Sequence, residues 1–488
     1  MGDANTVLSP EEARHLLRRT GFGVSKRDLE RILDEGETRG QAVDRLLAAK
    51  AQTFRPNGRD FETAHGKWIK YLLKARSPLQ AKLGLFWHDH FATGISKVED
   101  INLMADEIRL LHQNAAGNLK QFVKEMNRNP AMMEFLDTVR NHKEIPNENY
   151  ARELQELFTL GVYDSAGNPN YSQEDIVQIA RAFTGWDYDK EAFLRDDDHD
   201  FMADFPERGP KVIFKSTGGF GPGGRPFTVN GEGTSEIDTV VDIIFEHTDS
   251  DGKNTVARRT TRRLLEYFAH PDPSLAVIDA LVAESNFAVD WELTPLLRAM
   301  LTNDAFYESG APAPFGGATK KSVKWPIDYV IGTMRMLGMK FKGRSLYVDG
   351  GSFRSVLDQL GNMGQILLDP PSVFGWDWET SWISSSTLLA RYGFARDVMA
   401  ARGRGSSSFR AERVLDLSLT IPDDIVDAVT GVLGVTDQFT PAERAVLLAY
   451  LTDNGAHASI DLDDYDIRNT KLHGLFALVM QSPAYQMH

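Results

Sequence analysis

The chain has 488 residues, of which 42% are hydrophobic and 25% charged, a composition typical of a globular protein with a large core. Its formal net charge of −15 argues against a general nucleic-acid binder and against adsorption to anionic membranes, because both need clustered lysine and arginine. The absence of cysteine excludes disulfides, thiolate nucleophiles and cysteine-ligated metal centres.

The sequence carries no targeting signal that we can read. No apolar run is long enough for a transmembrane helix, so no membrane insertion is predicted. The N-terminal residues lack the basic segment followed by an apolar one that marks a signal peptide. We therefore predict a cytoplasmic protein, and export after removal of a signal is the alternative.

The first third of the chain is predicted to be almost entirely helical. A helix begins after Ser9, a good N-cap, with Pro10 at its first position and two glutamates in its first turn. Another helix begins at Pro78, and its apolar stripe includes His90. Ser172 is predicted to cap a further helix.

Residues 187–234 interrupt this pattern with an acidic, aromatic stretch and then a glycine-rich one. Such a long segment is typical of a functional loop, and its strings KVIF and PFTV predict a short hairpin. Helices resume afterwards, and GRGSSS at 403–408 reads as a linker. We predict a mainly α protein with a main helical domain at 1–402, this loop insertion, and a small C-terminal helical lobe at 410–488 packed on it.

The predicted helix with the clearest start and end signals is PNENYARELQELFTLG, residues 146–161. Pro146 and Asn147 begin it, and Gly161 suits the left-handed position at its end. One predicted face is apolar and consists of Tyr150, Ala151, Leu154, Leu157 and Phe158. The other face consists of Asn149, Arg152, Glu153 and Glu156. This second face is rich in groups that transfer protons or hold ligands.

Six strings along the chain occur together in a recognisable order. They are HLLRRTGFG (15–23), FWHDHF (86–91), PNENYARELQELFTLGV (146–162), YSQEDIVQIARAFTGW (171–186), DPPSVFGWDWETSWI (369–383) and LFALVMQSPAYQ (475–486). Together they resemble the large bacterial domain-of-unknown-function family numbered eighteen hundred, over nearly the whole chain. The resemblance implies a mainly helical fold, export of many members, and a secreted sulfatase-like partner encoded beside many of them. It implies no particular reaction.

Two carboxylates on the polar face of the helix predicted at 146–161 are the leading catalytic candidates. At about 100° per residue, Glu153 and Glu156 cluster on one side together with Asn149. Paired carboxylates in a partly apolar groove acquire separate pKa values and act as acid and base, as a glycosidase or lyase requires. The alternative is a solvated ladder in which Arg152 pairs with Glu148 and Glu156. A ladder alone does not explain so recognisable a motif, so we favour the site.

His88 and His90 suggest a metal site, because neutral imidazoles are common ligands. On a continuing helix, however, residues two apart point about 200° from each other and cannot share one ion. We therefore favour a buried histidine that is hydrogen-bonded to a carboxylate. In the alternative, a divalent metal is bound and Glu153 or Glu148 supplies the oxygen ligand.

The other strings and one loop supply the remaining candidates for substrate binding. These are Arg181, Trp186, Trp376, Trp382, Arg391 and His199. Arginine presents a planar fork to carboxylate, sulfate or phosphate groups, and indole faces stack on sugar rings. Ion pairing within the fold and core packing are the alternative roles for the arginines and tryptophans.

These patterns favour a carbohydrate-active hydrolase or lyase without a cofactor, acting on a saccharide or another polyhydroxylated polymer. Glu153 and either Glu148 or Glu156 would act as acid and base. His88 or His90 would tune them, and the tryptophans would line the cleft. One alternative is a non-catalytic scaffold that binds the sulfatase-like partner. Another is a metal-dependent hydrolase.

Overall fold

The computed structural model describes residues 3–49, 54–142, 147–188, 201–203, 210–227, 235–308, 322–339, 347–348, 354–400 and 409–488. Helices predominate within these ranges, so the predicted mainly α class is confirmed. None of the described helices combines the length and the apolarity needed to cross a bilayer.

The N-terminal part is a succession of helices. These are α1 (Pro10–Thr20), α2 (Lys26–Glu35), α3 (Arg39–Ala48), α4 (Phe61–Lys74), α5 (Pro78–His90), α6 (Ile95–Val98), α7 (Ile101–Asn114), α8 (Leu119–Met126), α9 (Pro130–Phe135), α10 (Asn149–Glu153) and α11 (Gln173–Ala182). A 3₁₀ turn at Thr138–Arg140 follows α9, and a π-helical turn at Leu154–Thr159 continues α10.

The helices of the later part begin after the glycine-rich region. They are α12 (Ser235–Glu246), α13 (Thr255–Phe268), α14 (Leu275–Glu284), α15 (Phe287–Asp290), α16 (Leu293–Thr302), α17 (Asp304–Glu308), α18 (Pro326–Met336), α19 (Val356–Asn362), α20 (Ser385–Ala400), α21 (Pro422–Val432), α22 (Pro441–Leu451), α23 (Tyr465–Ile467), α24 (His473–Gln481) and α25 (Pro483–Gln486). Short 3₁₀ turns lie at Glu379–Trp382, Ala411–Arg413 and Thr436–Gln438, and a second π turn at Arg468–Leu472 joins α23 to α24.

Helix starts follow the predicted capping signals. The Ser9 hydroxyl accepts from the backbone N–H of Glu12 at 3.2 Å, and the Glu12 carboxylate accepts from the N–H of Ser9 at 2.9 Å. Ser172 and Asp175 form the same reciprocal arrangement at the start of α11. Both predicted N-caps are confirmed. They were predictable because each capping contact joins residues only three positions apart.

In the part of the chain that the structure describes, the strands form three small antiparallel pairs. β1 (Trp186–Tyr188) pairs with β2 (Phe201–Ala203), and β5 (Tyr347–Val348) pairs with β6 (Arg354–Ser355). The strands β3 (Lys211–Ile213) and β4 (Arg225–Phe227) also pair, with Val212 opposite Pro226. This last pair confirms the hairpin predicted from KVIF and PFTV.

The C-terminal region packs on the preceding helices. Helix α20 lies against α24, and the backbone N–H of His488 donates to the carbonyl of Ser322 at 2.9 Å. The proposed division into residues 1–402 and 410–488 stays a prediction. The predicted linker at 403–408 lies outside the described residues.

Helix α5 lies in the centre of the core. The sequence predicts an amphipathic helix, yet every side chain from Leu79 to His90 is buried, so this expectation is wrong. The helix is enclosed on all sides because α1, α3 and α7 pack against it. Its Lys82 is neutralised by Asp328 of α18, with their charged atoms 3.0 Å apart.

Glu107 of α7 makes the stability of the fold depend on pH. Its side chain is fully buried and accepts from the Thr93 hydroxyl, and burial raises the pKa of Glu107 to about 8. The unfolded chain binds fewer protons than the folded one between about pH 4.5 and 8, so stability falls as pH rises through this window. We expect Glu107→Gln to be more stable than the wild type at pH 8, by on the order of a few kcal/mol.

Urea unfolding at pH 5 and pH 8 tests this expectation. The advantage of Glu107→Gln should be larger at pH 8, and Glu62→Gln, a change at an exposed position of α4, should show no such trend. An equal advantage at both pH values would contradict it.

Candidate functional site

The polar helix predicted at 146–161 is irregular in the structure. It begins at Asn149 rather than Pro146, which lies outside the described residues, and Asn147 accepts from the N–H of Asn149 at 2.9 Å without occupying the N-cap. After Glu153 the helix widens into the π turn Leu154–Thr159. π turns are rare in proteins, and those that do occur are frequently found at functional sites.

Gly161 ends the π turn in the predicted left-handed conformation, with φ of +80°. Its N–H and that of Leu160 both donate to the carbonyl of Gln155. A Cβ on Gly161 would lie 2.6 Å from the Arg259 guanidinium, so the absence of a side chain lets Arg259 approach the helix end. The predicted apolar face is buried, apart from the half-buried Leu157.

Glu153 has the surroundings of a proton donor. Its side chain is half-buried, and its Oε2 is buried without a hydrogen-bond partner among the described residues. Burial and the negative charge of Glu156 together raise the pKa of Glu153 to about 7, and the charge of Arg152 opposes both effects. A carboxyl group with this pKa exchanges its proton near neutral pH.

Glu156 is hydrogen-bonded to the segment that precedes helix α11. Its carboxylate accepts from the Tyr171 hydroxyl at 2.8 Å, and burial together with this contact raises the pKa of Tyr171. Arg259 of α13 donates to the carbonyl of Leu157 at 3.3 Å. Burial lowers the pKa of Arg259 to about 10, and Glu156 is among the charges that oppose this shift. Arg259 therefore stays cationic at neutral pH.

The arginines of α13 extend from the candidate site, and sequence reasoning missed them. Arg259, Arg262, Arg263 and Glu266 recur at spacings of three and four, so they share one helical face. All four are half-buried, whereas the rest of α13 after Asn254 is buried. The signal was present in the string RRTTRRLLE, where charged residues recur on one face of an otherwise apolar helix.

Asp89 is the second residue that sequence reasoning missed. It is buried, its Oδ1 accepts from the N–H of Trp376 at 2.8 Å, and its Oδ2 accepts from the indole N–H of Trp378 at 3.0 Å. Burial raises the pKa of Asp89 to about 6 against these donors and Arg263, whose guanidinium lies 3.5 Å away. The available signal was a carboxylate between His88 and His90.

Segment 369–383, which follows α19, is held against Asp89. Gly375 has φ of +80°, and a Cβ there would collide with Asp89. The guanidinium of Arg263 lies 4.0 Å from the centre of the Trp378 ring, a cation–π contact. Asp89 therefore links α5, α13 and the segment 369–383.

We call Glu153, Glu156, Tyr171, Arg259 and Arg263 the acid–arginine row.

The two histidines lie behind the acid–arginine row. His90 Nε2 donates to the carbonyl of Phe158 in the π turn at 3.1 Å, so its partner is a carbonyl and not the expected carboxylate. His88 lies between Trp68 and Trp376, and neither of its ring nitrogens has a partner among the described residues. Burial lowers the pKa of each histidine to about 3, so both are neutral.

The metal alternative is not supported by a ligand set in the part of the chain that the structure describes. No group of three or more histidine, aspartate or glutamate residues is arranged there to hold an ion. His88 and His90 lie on the continuous helix α5, where their side chains diverge.

The other polar side chains at the start of this helix form their hydrogen bonds with residues other than Glu153. Arg152 donates to Glu148 at 3.4 Å and to Gln173 at 3.2 Å, and Glu148 also accepts from Gln173. Of the two ion pairs in the alternative ladder, the one between Arg152 and Glu148 is present. Glu156 accepts a hydrogen bond from Tyr171 instead. Asn149 donates to Asp137 at 3.3 Å.

Two predicted arginines make contacts within the fold. Arg181 is half-buried and donates to Gln178 at 2.6 Å. Arg391 is fully buried and donates to Gln486 and to the carbonyl of Lys324. The contacts of Arg391 fit the structural role that the sequence left as an alternative.

The three predicted tryptophans are buried. Trp186, Trp376 and Trp382 are only 3–4% exposed, which leaves no indole face for a sugar ring and corrects the expectation that they line a cleft. They pack in the core because the segments that carry them are covered by neighbouring helices. The half-buried Trp378, against which Arg263 packs, is more accessible. His199 lies outside the described residues.

The fold and the candidate site together define a mainly α protein. Glu153 at the end of α10 and Glu156 in the π turn form a carboxylate pair, and Arg259 of α13 lies near Glu156. The chain belongs to the DUF1800 family, described as proteins of unknown function, whose family model matches residues 15–487. No curated protein and no solved structure matches the chain.

Proposed function

We propose that this protein is an enzyme that cleaves a saccharide or another polyhydroxylated polymer by acid–base catalysis, as a hydrolase or a lyase. The observation that carries the proposal is Glu153, a half-buried carboxyl group with an unpartnered oxygen and a pKa raised to about 7. A second carboxylate, Glu156, lies one helical turn away and raises that pKa.

The two carboxylates have complementary parts in the proposed reaction. Glu153 gives its proton to the leaving oxygen while the C–O bond breaks. In hydrolysis, Glu156 takes a proton from the water that attacks the anomeric carbon. In β-elimination, it takes the proton from the carbon next to an acidic group, and the electrons of that C–H bond form the new double bond. Tyr171 orients Glu156 through its hydroxyl group.

The arginines favour a substrate that carries carboxylate or sulfate groups. Arg259 is half-buried and interacts with the charge of Glu156, and the half-buried Arg263 lies one helical turn further along α13. A guanidinium binds carboxylate and sulfate groups through paired hydrogen bonds. His90 supports the site indirectly, because its hydrogen bond to Phe158 holds the π turn.

The test is a screen of neutral, uronate-containing and sulfated polysaccharides against the wild type and Glu153→Gln. New reducing ends report hydrolysis, and absorbance of an unsaturated product reports elimination. We expect activity that Glu153→Gln loses. Full activity in this variant would refute the proposal, and activity that requires an added divalent ion would favour the metal-dependent hydrolase.

Exposed apolar side chains support a second candidate, a scaffold for the sulfatase-like partner. Phe374 is 64% exposed, Ile383 36% and Leu389 70%, and Phe374 and Ile383 belong to the family string at 369–383. These three residues lie close together in the sequence, and clustered exposed apolar side chains are typical of protein interfaces.

We expect Phe374→Ser/Leu389→Ser to weaken co-purification with that partner at least tenfold, because the change removes apolar contact area. The variant Val446→Ser alters another exposed apolar residue, at 60% exposure in α22, and should bind like the wild type. Equal loss in both variants, or loss in Glu153→Gln, would count against this candidate.

A further inference from the structure

A basic groove lies on helix α4 and the segment before it. The groove has a volume of about 460 Å³ and is lined by Phe54, Arg55, Lys67, Lys70, Tyr71, Lys74 and Arg76. Five of these residues are basic and none is acidic. This volume lies within the range of ligand-binding pockets.

The sequence of α4 explains why these side chains lie together. Lys67, Lys70, Tyr71 and Lys74 recur at positions i, i+3, i+4 and i+7, which form one helical face. The opposite face is buried and packs against α7 and α18. Lys67 and Lys74 are separated by about 10 Å along the helix axis, so the cations form a line rather than a point.

An aromatic pair forms part of the wall. The rings of Phe54 and Tyr71 are parallel within 13°, with their centres 4.1 Å apart. His112 contacts both rings edge-on at 5.6 and 5.3 Å and supports them from the core. Tyr71 is half-buried, so this pair is a fixed apolar surface beside the cations.

Neighbouring residues hold Arg55 and Lys67 in place. Arg55 donates to Asp106 at 2.8 Å, and Lys67 donates to the carbonyl and side-chain oxygens of Asn57. The chain as a whole is acidic, with a formal net charge of −15, yet no carboxylate lines the groove. Asp106 offsets the charge of Arg55. Salt screens charges beyond about 8 Å, so the distant acidic residues do not cancel the attraction of the lining cations for anions.

We propose that this groove binds an acidic oligosaccharide that carries carboxylate or sulfate groups. A line of cations matches regularly spaced acid groups on a chain, and the aromatic pair matches the apolar face of a sugar ring. A single-stranded nucleic acid fits less well, because its binding sites use successive aromatic platforms and this groove has a single stacked pair. The inference does not depend on catalysis at Glu153.

Binding is measured by fluorescence anisotropy with labelled hexasaccharides of heparin and of polygalacturonate. A neutral cellohexaose and an oligothymidylate serve as competing probes. We expect at least one acidic hexasaccharide to bind, and its Kd to rise at least tenfold in Lys67→Ala/Lys74→Ala. The matched control Lys26→Ala/Lys253→Ala removes two exposed lysines outside the groove and should bind like the wild type.

Three results would overturn the inference. These are equal binding of the neutral probe, wild-type affinity in the groove variant, and tighter binding of the oligothymidylate than of both acidic probes. Tyr71→Ala should also weaken binding. Anisotropy measures binding without turnover, so loss of binding in Lys67→Ala/Lys74→Ala is scored independently of the activity measured in the polysaccharide screen. Failure of the groove is thereby distinguished from failure of the proposed catalytic site.

Discussion

Glu153→Gln is expected to lower kcat on the identified substrate by about 10²- to 10⁴-fold, the usual contribution of a general acid. Glutamine keeps the size of the side chain but has no proton to give to the leaving oxygen. The fold should remain intact, because Glu153 Oε2 has no hydrogen-bond partner that the substitution could break among the described residues. Turnover and the urea midpoint are measured on the same preparation.

The pH dependence of the wild type provides a second measurement of the same group. A general acid must be protonated, so kcat should fall as pH rises through the Glu153 pKa of about 7. Glu156→Gln removes the negative charge that raises this pKa, so the alkaline limb of any residual activity should move to lower pH.

The matched control is Glu148→Gln, a carboxylate of the same helix that is bonded to Arg152 and Gln173. It should retain most of the wild-type kcat and the same alkaline limb. Equal loss of activity in Glu148→Gln and Glu153→Gln would show that the helix is needed only for stability.

Asp89→Ala is expected to lower the free energy of unfolding by about 3–5 kcal/mol. The substitution leaves the N–H of Trp376, the indole N–H of Trp378 and the guanidinium of Arg263 without their common acceptor. Removing one partner of a buried charged contact is costly because the remaining groups stay desolvated. Urea unfolding at pH 7 measures the change.

Asp377→Ala is the control for Asp89→Ala, because it removes an exposed carboxylate from the same segment. We expect it to change the free energy of unfolding by no more than about 0.5 kcal/mol. Asp89→Asn keeps the shape and one acceptor oxygen, so its loss should fall between the two. A loss below about 1 kcal/mol for Asp89→Ala would contradict the role assigned to Asp89 as an anchor.

Features that depend on neighbouring residues were predictable. The capping contacts of Ser9 and Ser172 and the left-handed Gly161 follow from residue types within a few positions. The hairpin at β3 and β4 follows from two strand-forming strings that lie in the same segment of the chain. The mainly α class and the family follow from such signals summed along the chain. The polar face with Glu153 was found in this way as well.

The π turn that follows α10 was not predictable from the sequence of residues 149–159 alone. Residues 154–159 have ordinary helical composition, and their π turn is accompanied by contacts from outside the helix. His90, 68 positions away, donates to Phe158, and Arg259, 102 positions from Leu157, contacts the helix end. These contacts come from α5 and α13, and a periodic pattern does not reveal which helices will meet.

The sequence by itself therefore determined the helical class, the helix boundaries with strong caps, and the helix on which a site should be sought. Only the tertiary structure decided which side chains surround Glu153, that Asp89 joins three segments, and that the tryptophans are buried. The physical reason is range. Capping and helical periodicity act within one or two turns, whereas burial and pKa depend on neighbours up to hundreds of positions away, such as Trp376 for Asp89.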